Sequence, residues 1–175
     1  SALILGHKKS EINVSIALSN EENGVIASND DLEILANNLS NYGKIIATKI
    51  LNLNAKEVDN FNLINALDLN ILTQNLFENK GEISANNDLK IKVLNSGIKN
   101  SGKVLAQGDV DLEGLSLRNE TGAVIASIAK NLNIKSTSDV VYSGIISAGL
   151  NAEIKATNLV NNQEIAAQNL NFIAN

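Results

Sequence analysis

Apolar and polar residues alternate with a period of two along most of the chain, in short runs separated by Asn and Gly. Helical i, i+3, i+4 spacing is missing, and Asn with β-branched residues opposes helix. Each run therefore predicts a short strand with one face turned inward. One motif, an aliphatic residue followed two positions later by Ala, recurs with its alanines at Ala27, Ala47, Ala66, Ala85, Ala106, Ala126, Ala148 and Ala167, spaced 19 to 22 residues apart. A second track runs in phase, centred on Ile34, Leu53, Ile71, Ile91, Leu112, Ile134, Ile154 and Phe172. A third, aliphatic-x-Asn, holds Asn20, Asn41, Asn60, Asn79, Asn100, Asn119 and Asn161, and Gly follows the Asn closely in most copies.

Three strands that repeat in one direction every ~20 residues do not form hairpins; a crossover that returns to the same place each time stacks them in parallel, with right-handed connections. The expected fold is all-β: a right-handed parallel β-helix of about eight coils, three short strands to a coil, on the order of 40 Å long at ~4.8 Å per coil. Residues 1–175 read as a single β-helical segment of a larger protein, with residues 1–15 the end of a preceding coil or an irregular lead-in. Ala suits a tight corner. Asn and Gly suit corners where positive φ is required, and Asn can also stack on itself between strands. The pattern loosens at "NFNLINA", where no Gly follows Asn60, at residues 93–102, and at "STSDVVYSGIISA", where Tyr142-Ser143-Gly144 replaces the Asn. Neither end carries a polar cap, so strand edges are expected at both.

Composition narrows the function. There is no Pro, Cys, Met or Trp, and the aromatics are three Phe and two Tyr, which suits a narrow aliphatic interior. A net charge of −5 argues against nucleic acid or an anionic membrane as partner, and Arg118 is the one Arg. A lone His7 and no Cys leave neither a zinc site nor a His-based triad, so no metal, cofactor or catalytic group is expected. Asp109, Asp111 and Glu113 alternate on one strand face, which reads as a solvated outer surface; paired carboxylates for glycoside cleavage are the lesser alternative. The candidate partner-contact residues are Tyr42, at a corner between Asn41 and Gly43, and Tyr142 with Ser143 in the irregular coil.

The runs "LSNYGKIIATKILNLNAKEVDN" and "FENKGEISANNDLKIKV" resemble the haemagglutinin repeats of filamentous-haemagglutinin-like exoproteins, in which Leu-x-Asn-x-Gly-x-Ile-x-Ala is followed by Leu-x-Ile-x-Ala. The resemblance covers residues 12–175. It implies a right-handed β-helical shaft of a large protein exported across a Gram-negative outer membrane by a two-partner transporter. It further implies a secreted or cell-surface location, and a role as an adhesin or as the stick of a contact-dependent growth-inhibition protein. Three readings follow from the residues and the resemblance together: a structural and adhesive shaft, a module that itself binds a receptor or glycan on a host or bacterial surface, and, last, a polysaccharide-cleaving enzyme.

Overall fold

The computed structural model describes residues 2–174 and contains strands and turns without helix among them. One side of the molecule is a nine-stranded parallel sheet: Leu3–Gly6, Val25–Ser28, Lys44–Ala47, Leu63–Ala66, Glu82–Ala85, Lys103–Ala106, Val124–Ser127, Ile145–Ala148 and Ile165–Ala166. The remaining strands form a 14-stranded parallel sheet that wraps the other sides. The fold is a parallel β-helix of about nine turns, one more than the repeat count predicts. The extra turn is the first: Leu3–Gly6 pairs with Val25–Ser28 and Ser10–Asn20 with Leu32–Asn41, so the expected lead-in is a coil in its own right.

Coils are not uniform. In the first three, single strands (Ser10–Asn20, Leu32–Asn41 and Ile50–Asn60) carry both the second and third tracks. From the fourth coil the chain breaks between them, giving pairs such as Asp68–Thr73 with Phe77–Asn79 and Leu89–Val93 with Ile98–Asn100. The second track stacks in the predicted register, Ile34 on Leu53, Ile71, Ile91, Leu112, Ile134 and Ile154. In the first track two copies are off by one. Ile26 and Ser28, and likewise Ile125 and Ser127, face inward where Val25, Ala27, Val124 and Ala126 fit the sequence motif. Small Ser stands in for Ala at the corner in both coils, and its buried hydroxyl is hydrogen-bonded (Ser127 Oγ to the Gly108 carbonyl, 2.6 Å).

The interior is a set of aliphatic columns, each side chain stacked on its counterpart one coil away. Ile45, Ile64, Ile83, Val104, Ile125 and Ile146 are all sealed from solvent, and each such side chain contributes about 1.5–3 kcal/mol on burial. Two rings enter this core, Phe77 and Tyr142. Backbone polarity is handled by the same stacking, because every strand between the end coils pairs with a strand on each side.

The glycines act differently from expectation. Among the described residues only Gly122 has positive φ, at 81°, and no other residue type does. At the remaining Asn-Gly corners the requirement is space. A Cβ on Gly102 would lie 2.0 Å from the Gly81 carbonyl oxygen, and one on Gly43 would lie 2.2 Å from that of Gly24. Coils approach backbone to backbone at this edge, and a methyl group does not fit between them.

Candidate functional site

The Asn of the third track points into the molecule. Asn41, Asn60, Asn79, Asn100 and Asn119 are fully buried and Asn20 nearly so. Each donates its amide Nδ2 to the Oδ1 of the next, from Asn20 to Asn41, Asn60, Asn79, Asn100 and Asn119, at 2.8 Å every time. The same amide also reaches a backbone carbonyl in the coil after its own, as from Asn41 to Leu63 and from Asn79 to Lys103. This row buries polar groups without orphaning them. It also fixes what lies outside: one residue beyond each Asn, the chain turns the corner and the side chain points to solvent.

That outer position carries Tyr42, Phe61 and Lys80 on three successive coils. The rings of Tyr42 and Phe61 stack with centroids 4.5 Å apart and planes 11° from parallel. Lys80 Nζ lies over the Phe61 ring at 4.4 Å from its centroid. Tyr42 is 41% exposed and Phe61 37%, so the column is a surface ridge. Such a ring pair contributes roughly 0.5–1.5 kcal/mol beyond its burial, and a lysine over a ring at an exposed site about 0.5–1 kcal/mol.

Carboxylates of the neighbouring column hold the lysine in place. Lys80 Nζ is 2.8 Å from Glu78 and 3.9 Å from Asp59, and Lys99 Nζ is 2.7 Å from the other Glu78 oxygen. Hydrogen bonds from Lys80 and Lys99 keep the Glu78 carboxyl below the ordinary glutamate range. Asp59 is pushed upward: burial outweighs the attraction of Lys80, and Glu78 and Glu57 repel it. The more distant Lys80 contact does not offset the desolvation.

Beyond Tyr42 in the other direction the corner is longer. Residues 21–24 separate Ser10–Asn20 from Val25–Ser28, where the next coil turns with Tyr42 and Gly43 alone. The turn closes through Gly24 N donating to the Glu21 carbonyl at 2.7 Å. Glu21, Glu22, Tyr42, Phe61 and Asn62 border one open concavity of about 420 Å³.

The other sequence candidates fare differently. Tyr142 pairs with Asn119 in register, taking the ladder position of its coil, and that position faces inward. Its ring is fully buried, so it offers no surface to a partner and is core; burial pushes its phenol above the ordinary tyrosine value. Ser143, one residue on, is half-buried at the outer corner, where its Oγ lies 3.1 Å from Asn162 Nδ2. The Asp109, Asp111 and Glu113 face is taken up locally: Asp109 accepts from Asn131, Asp111 from Asn133, and Glu113 pairs with Lys92 at 2.9 Å. His7 Nδ1 lies 3.3 Å from Asn29 Nδ2. Among the described residues no group of three or more His, Cys, Asp or Glu is placed to hold a metal ion.

No family model, curated protein or solved structure matches this chain. The feature that sequence reasoning passed over is the aligned column of Tyr42, Phe61 and Lys80. It was readable by writing the copies beneath one another on their Asn, which places all three at the next position.

Proposed function

We propose that this chain is a length of the β-helical shaft of a large secreted bacterial surface protein of the filamentous-haemagglutinin-like kind, holding a cell-contacting region away from the membrane that exports it. The observation that supports this reading best is the unbroken stack of about nine coils, with corners of a few residues and no long loop among the described residues. A β-helical enzyme builds its cleft from long loops between coils, whereas here the described corners are short and no loop stands out over the strand faces. Stiffness follows from the geometry, since bending the rod opens backbone hydrogen bonds and shears the Asn row.

Under this reading the partners are an outer-membrane two-partner transporter during export and a receptor or glycan on the target cell at the tip. The test is export. The chain is placed behind a two-partner secretion domain, co-expressed with the cognate pore and followed by an epitope tag. The expected result is tag on the cell surface with the coils protease-resistant; tag retained in the periplasm beside folded coils overturns the proposal. A second reading, that the segment itself binds a partner, is favoured by the exposed ring pair at Tyr42 and Phe61.

A further inference from the structure

Along its corner ridge the molecule holds a cation on one side of an aromatic pair and the apparatus for a second cation on the other. On the Phe61 side, Lys80 Nζ lies over the ring and is held by two carboxylates, Glu78 and Asp59. On the Tyr42 side, the register places Glu21 one coil away, and the longer turn sets Glu21 and Glu22 around a concavity that Tyr42 and Phe61 also border. Two carboxylates and a ring recur there, without the lysine. Neither carboxylate forms an ion pair among the described residues, whereas Glu78 and Asp59, their counterparts beside Phe61, both pair with Lys80. Among the described residues the Glu21 carboxylate accepts from the Ser19 hydroxyl alone, at 2.6 Å.

We propose that the Glu21, Glu22 and Tyr42 corner is a recognition slot for an arginine side chain presented by a partner protein. Guanidinium suits it better than ammonium does. It is planar and stacks on the free face of Tyr42, and its forked donors reach two carboxylates at once. The slot is open to solvent, which fits a side chain entering from a protein surface. The net charge of −5 favours the approach of a basic partner. The flanking Asn62 has its amide committed to the Tyr42 carbonyl at 2.9 Å, so it forms a wall of the slot and leaves the charge to the glutamates.

The experiment uses the whole chain, isotopically labelled, titrated with N-acetyl-arginine amide at constant ionic strength, with the lysine analogue and the neutral isostere N-acetyl-citrulline amide in parallel. Expected are saturable shifts confined to the Tyr42 ring and the backbone amides of Glu21, Glu22 and Asn62, smaller shifts with lysine, and none with citrulline. Tyr42→Ala weakens arginine binding roughly three- to fivefold, the size of one exposed cation–ring contact. Because that variant also unstacks Phe61, the deciding one is the double variant Glu21→Gln with Glu22→Gln, on an exposed turn, which abolishes saturation while leaving the far-ultraviolet spectrum unchanged. Equal shifts from citrulline and arginine, or undiminished binding in the double variant, overturn the proposal. Neither outcome bears on export, so the shaft reading stands or falls separately.

Discussion

The Asn row makes a quantitative demand at Asn60, which sits mid-ladder. It accepts from Asn41 Nδ2 and donates to Asn79 Oδ1, both at 2.8 Å, and its amide also reaches the carbonyls of Asn62 and Glu82. Asn60→Ala leaves Asn41 Nδ2 without its ladder acceptor and Asn79 Oδ1 without its ladder donor, both at zero exposure. At about 1–3 kcal/mol for each, the cost is about 2–6 kcal/mol, or a melting temperature lower by roughly 4–24 °C at this chain length. Asn60→Asp is the sharper probe. Protonated, its carbonyl oxygen accepts from Asn41 and its hydroxyl donates to Asn79, so the ladder survives. Ionised, it has no donor and turns a charged oxygen toward Asn79 Oδ1. Burial therefore raises its folded pKa above the unfolded aspartate value of about 3.9. With the proton held more tightly in the folded state, the variant is least destabilised below that value, where it lacks only the amide's second donor, and loses about 1.4 kcal/mol per pH unit above it, until the folded carboxyl ionises. Thermal melts by circular dichroism at about pH 4 and about pH 7, each read against wild type at the same pH, separate the two forms. Asn52→Asp and Asn52→Ala, at an exposed position on the outer face, serve as controls and shift stability by no more than about 0.5 kcal/mol. An Asn60→Asp deficit that is the same at both pH values, or an Asn60→Ala deficit no larger than that of Asn52→Ala, refutes the reasoning.

Three further outcomes are expected. Thr73 is fully buried and its Oγ1 has no hydrogen-bond partner, so the near-isosteric Thr73→Val raises stability by about 1 kcal/mol in a denaturant titration. Gly102→Ala drives a methyl into the Gly81 carbonyl and costs about 1–3 kcal/mol. Gly122→Ala meets nothing within 4 Å and costs only the strain of its positive φ, about 1 kcal/mol, so melting curves should rank the first as the more damaging. Glu78, its pKa lowered by Lys80 and Lys99, stabilises the fold above the ordinary glutamate value of about 4.3 and loses that contribution as pH falls through its depressed folded value. Glu78→Gln therefore melts below wild type at neutral pH, and the gap narrows in acid.

Much of this architecture is legible in the residues because a solenoid writes the same sentence many times. Ile34, Leu53, Ile71 and Ile91 announce one wall without any long-range inference, since each coil pairs with the next. The one-residue offset at Ile26 and Ile125 was hidden because "VIAS" offers two consecutive aliphatics, and only the register of the neighbouring coils decides which faces inward. The role of Gly was misjudged for a related reason: φ is a local property that sequence suggests directly, whereas the contact that excludes a Cβ at Gly102 comes from a different coil. Tyr142 shows the opposite failure. Its place in the Asn track already implied an inward side chain, and its aromatic character drew attention to the surface instead. Tyr42 was correctly read as exposed from its corner. Its partners Phe61 and Lys80 come from coils 19 residues apart, and only the stacking reveals them together.

The Asn row has a consequence for how coils find their places. A strand whose inward positions are all aliphatic can slide by two residues against its neighbour and still bury the same face, so hydrophobic pattern alone leaves such a slip cheap. Here a slide of two sets Asn60 against Leu39 in place of Asn41 and strands an amide in a dry wall. The row is thus a ratchet tooth that admits one alignment per coil, as a single buried Asn does in a coiled coil. It runs from Asn20 to Asn119 and stops where Tyr142 replaces the next amide. Past that coil no buried amide enforces the register, and alignment rests on the aliphatic columns and on the exposed pairs that Asn151 makes with Asn131 and Asn169 with Asn151.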